Sequence, residues 1–194
     1  YDRPVLTCRV FHSKLLMLLE QIRSGHVFGL DYPVEYEVRV IEFQLRGLPH
    51  AHIVLRLANV PENADQVATW IDNTICARHP YPLIYGEKEP YVALDADQSM
   101  TQVDKNLAVL VNGNMIHTCR QGVNGCLDER GLCKKNFPKP LSPLTKFDER
   151  GYPIYKRMNQ ADLYVVPYNE RLLQLWQGHA NVEFAGHVFL VLYL

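Results

Sequence analysis

The sequence has no apolar run long enough to cross a membrane. Its longest, Val188 to Leu194, is seven residues, against the ~18–20 that a spanning helix needs. It has no excess of either charge: 20 Lys and Arg face 21 Asp and Glu, for a net charge of −1. A chain-wide basic footprint of the kind that drives non-specific nucleic-acid binding is therefore excluded, and any phosphate contact has to come from a local cluster. There is no G-x-x-x-x-G-K-[ST] phosphate loop, so P-loop nucleotide hydrolysis is not chemistry of these residues. No internal repeat and no C-x2-C knuckle occur. The cysteines number five, which is odd, and Cys8 and Cys76 fall in helical patterns, so a disulfide framework is not expected. With 47% hydrophobic and 21% charged residues, a chain of 194 residues has the means to bury one full core.

What is present begins with a helical stripe. Val5, Phe11, Leu15, Leu18, Leu19 and Ile22 recur at helical spacing between Pro4 and Ser24, and Gly25 stops the pattern. Strands are expected over 34–45 and 50–57, followed by a helix from Asp65 to Ala77 that buries Val67, Trp70, Ile71 and Ile75. A further helix is expected over 98–111. Segment 112–151 reads as an irregular insertion, Pro167 to Trp176 as a short helix, and Asn181 to Phe184 as a strand. Helix, hairpin, helix and later strands point to an α+β fold, an antiparallel sheet with flanking helices, in a single domain over 1–194.

The two expected strands carry the densest chemistry. Ile41, Phe43, Leu45, Ala51, Ile53, Leu55 and Leu57 are all apolar, while the even positions Glu42, Gln44, Arg46, Leu48, His50, His52, Val54 and Arg56 are mostly polar. Side chains two apart on a strand share a face, which puts the His50 and His52 imidazoles on one side, about 6.5–7 Å apart along the backbone. A turn at Arg46-Gly47-Leu48-Pro49 would set Gln44 opposite His50 and Glu42 opposite His52. Glu42, His50 and His52 then can share one metal ion, with Gln44 as an alternative ligand; the competing reading is a pair of ordinary surface histidines. Mixed nitrogen and oxygen donors do not select among divalent ions.

A second cluster, His117-x-Cys119-x6-Cys126-x6-Cys133, lies in the irregular insertion. One imidazole and three thiols suit a structural Zn site, although the spacings are wide; free thiols in a reducing compartment are the alternative. Arg120, Arg130, Lys134, Lys135, Lys139 and Lys146 crowd the same stretch, while Asp and Glu crowd 62–104. These cations are either a solvated loop or a local phosphate contact.

Ile41-Glu42-Phe43-Gln44-Leu45-Arg46-Gly47-Leu48-Pro49-His50-Ala51-His52 resembles the His-hydrophobic-His (HUH) motif of the Rep endonuclease domain of Helitron rolling-circle transposons. Blocks in the same order extend the likeness along the chain: Asp2-Arg3-Pro4 and Arg9-Val10-Phe11, Phe137-Pro138-Lys139, Gly151-Tyr152-Pro153-Ile154-Tyr155, Val165-Val166-Pro167-Tyr168-Asn169 and Asn181-Val182-Glu183. The resemblance implies a ferredoxin-like HUH Rep fold with the Cys-rich insertion within it. It implies metal-dependent nicking and strand transfer of single-stranded DNA at transposon ends, through a 5′-phosphotyrosine, with Mg or Mn held by the two histidines and an acidic or amide residue. It also implies a helicase domain in the same full-length polypeptide and a nuclear location.

The family's two tyrosines are spaced Y-x-x-x-Y. Tyr193 matches the first, and the second would fall past Leu194, so the motif is expected to be cut short; the competing reading of Tyr193 is a terminal aromatic. Tyr164 and Tyr168 have the same spacing and are the alternative nucleophiles, with Pro167 arguing against a helix there. Two other functions stay open: a catalytically inactive or host-captured DNA- or protein-binding remnant, and a hydrolytic metallonuclease that uses water. Among sequence-tolerant stacking platforms for single strands, Tyr81, Tyr85, Tyr91, Tyr152 and Tyr155 are candidates.

Overall fold

Pro4 begins the first helix, where a missing N–H is harmless and the fixed φ already suits the helix. The computed structural model describes residues 3–43, 48–82, 99–122 and 125–186. It consists of α1 (Pro4–Arg23), β1 (Val34–Phe43), β2 (Pro49–Leu57), α2 (Ala64–Thr74), α3 (Gln102–Asn114), β3 (Lys146–Phe147), β4 (Pro153–Ile154), a 3-10 turn at Gln160–Asp162 and α4 (Glu170–Trp176). The chain is thus mixed α and β, with antiparallel pairs β1–β2 and β3–β4. It divides into two compact units, one formed around residues before 64 and one spanning Ala64–Phe184.

In the first unit, α1 buries Leu15, Leu18, Leu19 and Ile22, the lower part of the expected stripe. Val5, at its upper end, is 64% exposed. Arg23 at the last turn donates to both carboxylate oxygens of Glu37 on β1, at 3.1 and 2.5 Å. Such a fork is stronger than a single contact and ties the helix end to the strand. The β1–β2 register pairs Glu42 with His50, Val40 with His52 and Phe43 with Pro49. This corrects the expected pairing of Glu42 with His52 by two residues. The described pairing runs as far as Phe43 and Pro49, and residues 44–47 lie outside the described residues. The apolar face is also less covered than alternation implies: Ile41 is 41% and Phe43 64% exposed. Each strand has one pairing partner among the described residues, and no further strand there extends the sheet.

In the second unit, Leu107 and Val111 of α3 and Met115 just past its end join a core completed by Val165, Tyr168 and Leu173. The helix starts later than expected, at Gln102, because Thr101 and Asp104 form a capping box: the Asp104 N–H donates to Thr101 Oγ1 at 3.2 Å, and the Thr101 N–H to Asp104 Oδ2 at 3.3 Å. The chain around Val165–Tyr168 is extended and bonds on both sides. The Val166 N–H donates to the Met115 carbonyl at 2.7 Å, and Cys76 and Tyr168 exchange backbone bonds at 2.7 and 2.8 Å. Asn181–Phe184, expected as a strand, makes no ladder. Its Val182 and Phe184 N–H groups donate to the Pro167 carbonyl and the Tyr155 hydroxyl instead. Tyr155 is itself buried, so of the candidate stacking aromatics it is withdrawn from solvent; Tyr85 and Tyr91 lie outside the described residues.

A polar node holds this unit together. The Asp162 side chain is fully buried and accepts from the N–H groups of His79, Met158 and Asn159 at 2.8, 2.7 and 3.1 Å. Buried Arg157 donates to the carbonyls of Ala77 and Asp162. Desolvation lowers the Arg157 pKa to about 10, against the attraction of nearby Asp162. Asp162→Ala would strand three amides and leave a buried cation without its counter-charge, so urea unfolding is expected to lose about 3–5 kcal/mol. A loss below about 1 kcal/mol, the value of one ordinary hydrogen bond, would show that the node does not organise the unit.

Candidate metal centres

The first centre lies at the end of the hairpin next to the connection between β1 and β2. His50 and His52 project from one face of β2, separated by the small Ala51, and their rings meet edge to face with centroids 4.7 Å apart at 67°. Glu42 stands directly across from His50 on β1. Its carboxylate reaches diagonally to His52, with Oε1 3.3 Å from Nε2, a reach that cross-strand diagonals allow. One ligand atom from each of Glu42, His50 and His52 lies within 4.8 Å of the other two. The register differs from expectation by two residues, and a shift of two leaves every side chain on its original face. Convergence therefore survives the change. Glu42 is 53% and His52 31% exposed at the side chain, so the site is open to solvent. Three protein ligands with free positions beside them is the pattern of a catalytic metal rather than a structural one. Gln44, the alternative ligand, lies outside the described residues.

The second centre is built from loops of the other unit. Just after α3, the His117 N–H donates to the Tyr164 carbonyl at 2.8 Å. The His117 ring stacks on Phe137, with centroids 4.2 Å apart at 18°, and Phe137 lies parallel to Tyr164 at 6.2 Å. This fixes the imidazole plane and leaves Nε2 3.4 Å from Cys126 Sγ and 3.3 Å from Cys133 Sγ. Cys119 completes a set whose four ligand atoms lie within 4.8 Å of one another. Two thiolates of a tetrahedral zinc site keep about 3.8 Å between them, given Zn–S bonds of about 2.3 Å, so the set needs only slight closure.

Local backbone geometry explains how C-x6-C spacing succeeds here. Leu127 and Cys133 form an antiparallel bridge, and the Lys134 N–H donates to the Cys126 carbonyl at 2.7 Å. Asp128 Oδ1 accepts from the Arg130 and Leu132 N–H groups at 2.9 and 2.8 Å, closing the turn between them. Gly131 takes φ +77°, and a side chain on Gly125 would meet the Arg120 carbonyl at 2.2 Å. The Arg120 N–H points at Cys126 Sγ, 3.4 Å away. Desolvation and the neighbouring Cys133 and Cys126 sulfurs push the Cys119 thiol up to about 11. At Cys133 desolvation also raises the pKa, but the backbone amides of Phe137 and Lys135 and the other two thiols outweigh it, and the net shift is downward. Desolvation, with Lys135 and Lys139, lowers the His117 pKa, which keeps the ring neutral as a metal ligand requires.

The tyrosines divide. Tyr168 is wholly buried and donates its hydroxyl to the Arg78 carbonyl at 3.0 Å. Burial, reinforced by Cys76, drives its pKa well above the normal phenol value. A phenol so enclosed has no access to a phosphodiester, and this corrects its candidacy as a nucleophile. Tyr164 is half-buried in the Phe137 stack, and the extended backbone through Val165 places no Y-x-x-x-Y helix there. Tyr193 lies outside the described residues. The sequence reading assigned no role to Phe137 or Asp162; an aromatic near a Cys-His cluster and an Asp three residues after Asn159 were the available signals.

Residues 1–55, a little over a quarter of the chain, match the family model described as "Helitron helicase-like domain at N-terminus". The matched segment, similar to that family, contains Glu42, His50 and His52. No curated protein and no solved structure matches the chain. Among the described residues no helix is long and apolar enough to cross a membrane.

Mn²⁺ titration followed by NMR is expected to broaden the His50 and His52 imidazole signals before those of His12 or His26. His52→Ala should weaken Mn²⁺ binding at least ~10-fold, since even outer partners of metal ligands are worth that much. Uniform broadening of all histidines would remove the hairpin as a metal site.

Proposed function

We propose that this chain is a metal-dependent endonuclease domain that nicks single-stranded DNA and transfers the strand, in rolling-circle transposition. The observation that carries the reading is the convergence of Glu42, His50 and His52 on the open face of one hairpin, inside the segment that is similar to the Helitron family. The HUH Rep fold, built on a ferredoxin-like sheet, is the architecture this reading implies, and a helicase in the same full-length polypeptide is its expected partner.

His50 and His52 offer neutral nitrogen donors, and Glu42 contributes a negative charge that favours a dication while orienting His52 through their 3.3 Å contact. Mixed imidazole and carboxylate donors with open positions fit Mn²⁺, and fit Mg²⁺ less well. A divalent ion bound there supplies charge neutralisation at the scissile phosphate. The nucleophile is Tyr193, a role that rests on the resemblance alone. Its phenolate oxygen bonds to phosphorus as the bond to the 3′ oxygen breaks; that oxygen takes a proton and leaves as a 3′-OH, while the 5′ phosphate stays on the tyrosine. The covalent link conserves the phosphodiester for rejoining, which transposition needs and hydrolysis does not.

The His117, Cys119, Cys126 and Cys133 set is a structural Zn²⁺ site in this reading. Four protein ligands close the coordination sphere and leave no position for substrate.

Two measurements test the pair of assignments. With Mn²⁺ and a single-stranded oligonucleotide, the chain is expected to form a covalent 5′ adduct that Tyr193→Phe and His50→Ala both abolish. Cleavage without an adduct would replace the reading by a hydrolytic nuclease; binding without cleavage, unchanged in His50→Ala, would leave a non-catalytic remnant. Metal analysis of the purified chain is expected to give one zinc per molecule, lost in Cys126→Ser and Cys133→Ser. Full zinc content in both variants would refute the site.

A further inference from the structure

Although the chain carries a net charge of −1, residues 117–139 hold five cations, Arg120, Arg130, Lys134, Lys135 and Lys139, against Asp128 and Glu129. The Asp128 carboxylate is engaged by the turn it closes. Arg120, Arg130, Lys134 and Lys135 are exposed. The ion pairs Arg23–Glu37, Arg39–Glu37, His52–Glu42 and Arg56–Glu35 involve none of these four. Clustered surface cations in an otherwise balanced chain create a local positive field.

Their backbone is anchored to the thiol cluster rather than free. Lys134 and Lys135 follow Cys133 directly, and the Lys134 N–H is bonded to the Cys126 carbonyl. Arg120 is tied to this segment at both backbone groups: its N–H points at the Cys126 sulfur, and its carbonyl accepts from the Leu127 N–H at 3.1 Å. The Lys139 ammonium bonds the Lys135 carbonyl at 2.8 Å and sits 4.9 Å from the Phe137 ring centroid, on the aromatic that orients His117.

We propose that this thiol-anchored loop is a sequence-independent contact for the phosphate backbone of single-stranded DNA, separate from the Glu42–His50–His52 centre. The choice of single-stranded DNA rests on the function proposed above. Phosphates are the complementary chemistry for several exposed Lys and Arg side chains whose backbone is anchored in one loop.

The test uses the full chain, a fluorescent oligothymidylate and anisotropy measured over a range of NaCl. Lys134→Glu/Lys135→Glu, with zinc content checked to be unchanged, is expected to weaken binding at least ~10-fold at low salt. Losing two phosphate contacts should also flatten the log–log salt slope by about 1.4, at about 0.7 per contact for single strands. Arg171→Glu, an exposed reversal on α4, should leave the slope unchanged. Equal affinity and slope in wild type and the double variant overturn the proposal, and so does an Arg171→Glu effect per charge as large as that of the lysines. His50→Ala separates this proposal from the nicking reading: it is expected to abolish cleavage and leave the salt slope intact. If wild type cleaves nothing yet the double variant still flattens the slope, the loop contact stands and the nicking reading falls.

Discussion

The antiparallel pairing of β1 with β2 is the constraint on which the hairpin's chemistry depends. A strand repeats its side-chain direction every two residues, and pairing brings the neighbouring strand to ~4.8 Å. Those two facts place His50, His52 and Glu42 on one face within reach of a single ion. They also make the arrangement tolerant. A slip of one residue would send Glu42 to the opposite face, whereas a slip of two exchanges which histidine it faces and keeps all three together. The observed pairing, with Glu42 across from His50 and its carboxylate on His52, uses that tolerance.

The two centres solve opposite problems. The hairpin site rests on regular backbone hydrogen bonds that need no ion to form, so its ligands stand ready with coordination positions left over. The His117–Cys133 cluster sits where secondary structure is scarce, and its ligands come from turns held by Asp128, Gly125 and Gly131 and by the Phe137 stack. Three sulfurs gathered in one place repel as thiolates. Hydrogen bonds among the thiols act in opposite directions, adding to the desolvation that raises the Cys119 pKa and helping to lower that of Cys133. A dication bound there would remove that repulsion, and metal binding of this kind couples to folding.

Much of this was legible in the residues. Near-regular alternation through 41–57 located the strands and the shared face of Glu42, His50 and His52, because period two is a local property of the chain. Register was not legible, since it depends on where pairing stops, and a Gly-Pro connection admits more than one loop length. The stripe Leu15–Ile22 was readable for the same local reason, while the exposure of Val5, Ile41 and Phe43 depends on what covers each surface. The T-x-x-D capping box at Thr101–Asp104 was readable in principle and would have placed the start of α3. Tyr168 shows the limit of motif spacing: its distance from Tyr164 suits a nucleophile pair, but its hydroxyl spans 90 residues of sequence to bond Arg78 inside the core. The Asp162 node is non-local in the same way, joining His79 to the 157–162 segment.

The bridge between Ile116 and Val165 closes a long excursion at its base: the chain leaves at His117 and returns at Tyr164, two residues joined by a 2.8 Å backbone bond. Residues gained or lost within such an excursion leave its two ends where they were. Because the entropy of closing a loop grows only with the logarithm of its length, doubling it costs about 0.6 kcal/mol. The segment between these ends can therefore change size at small entropic cost, and a graft or a deletion there would test the loop's role without moving its two ends.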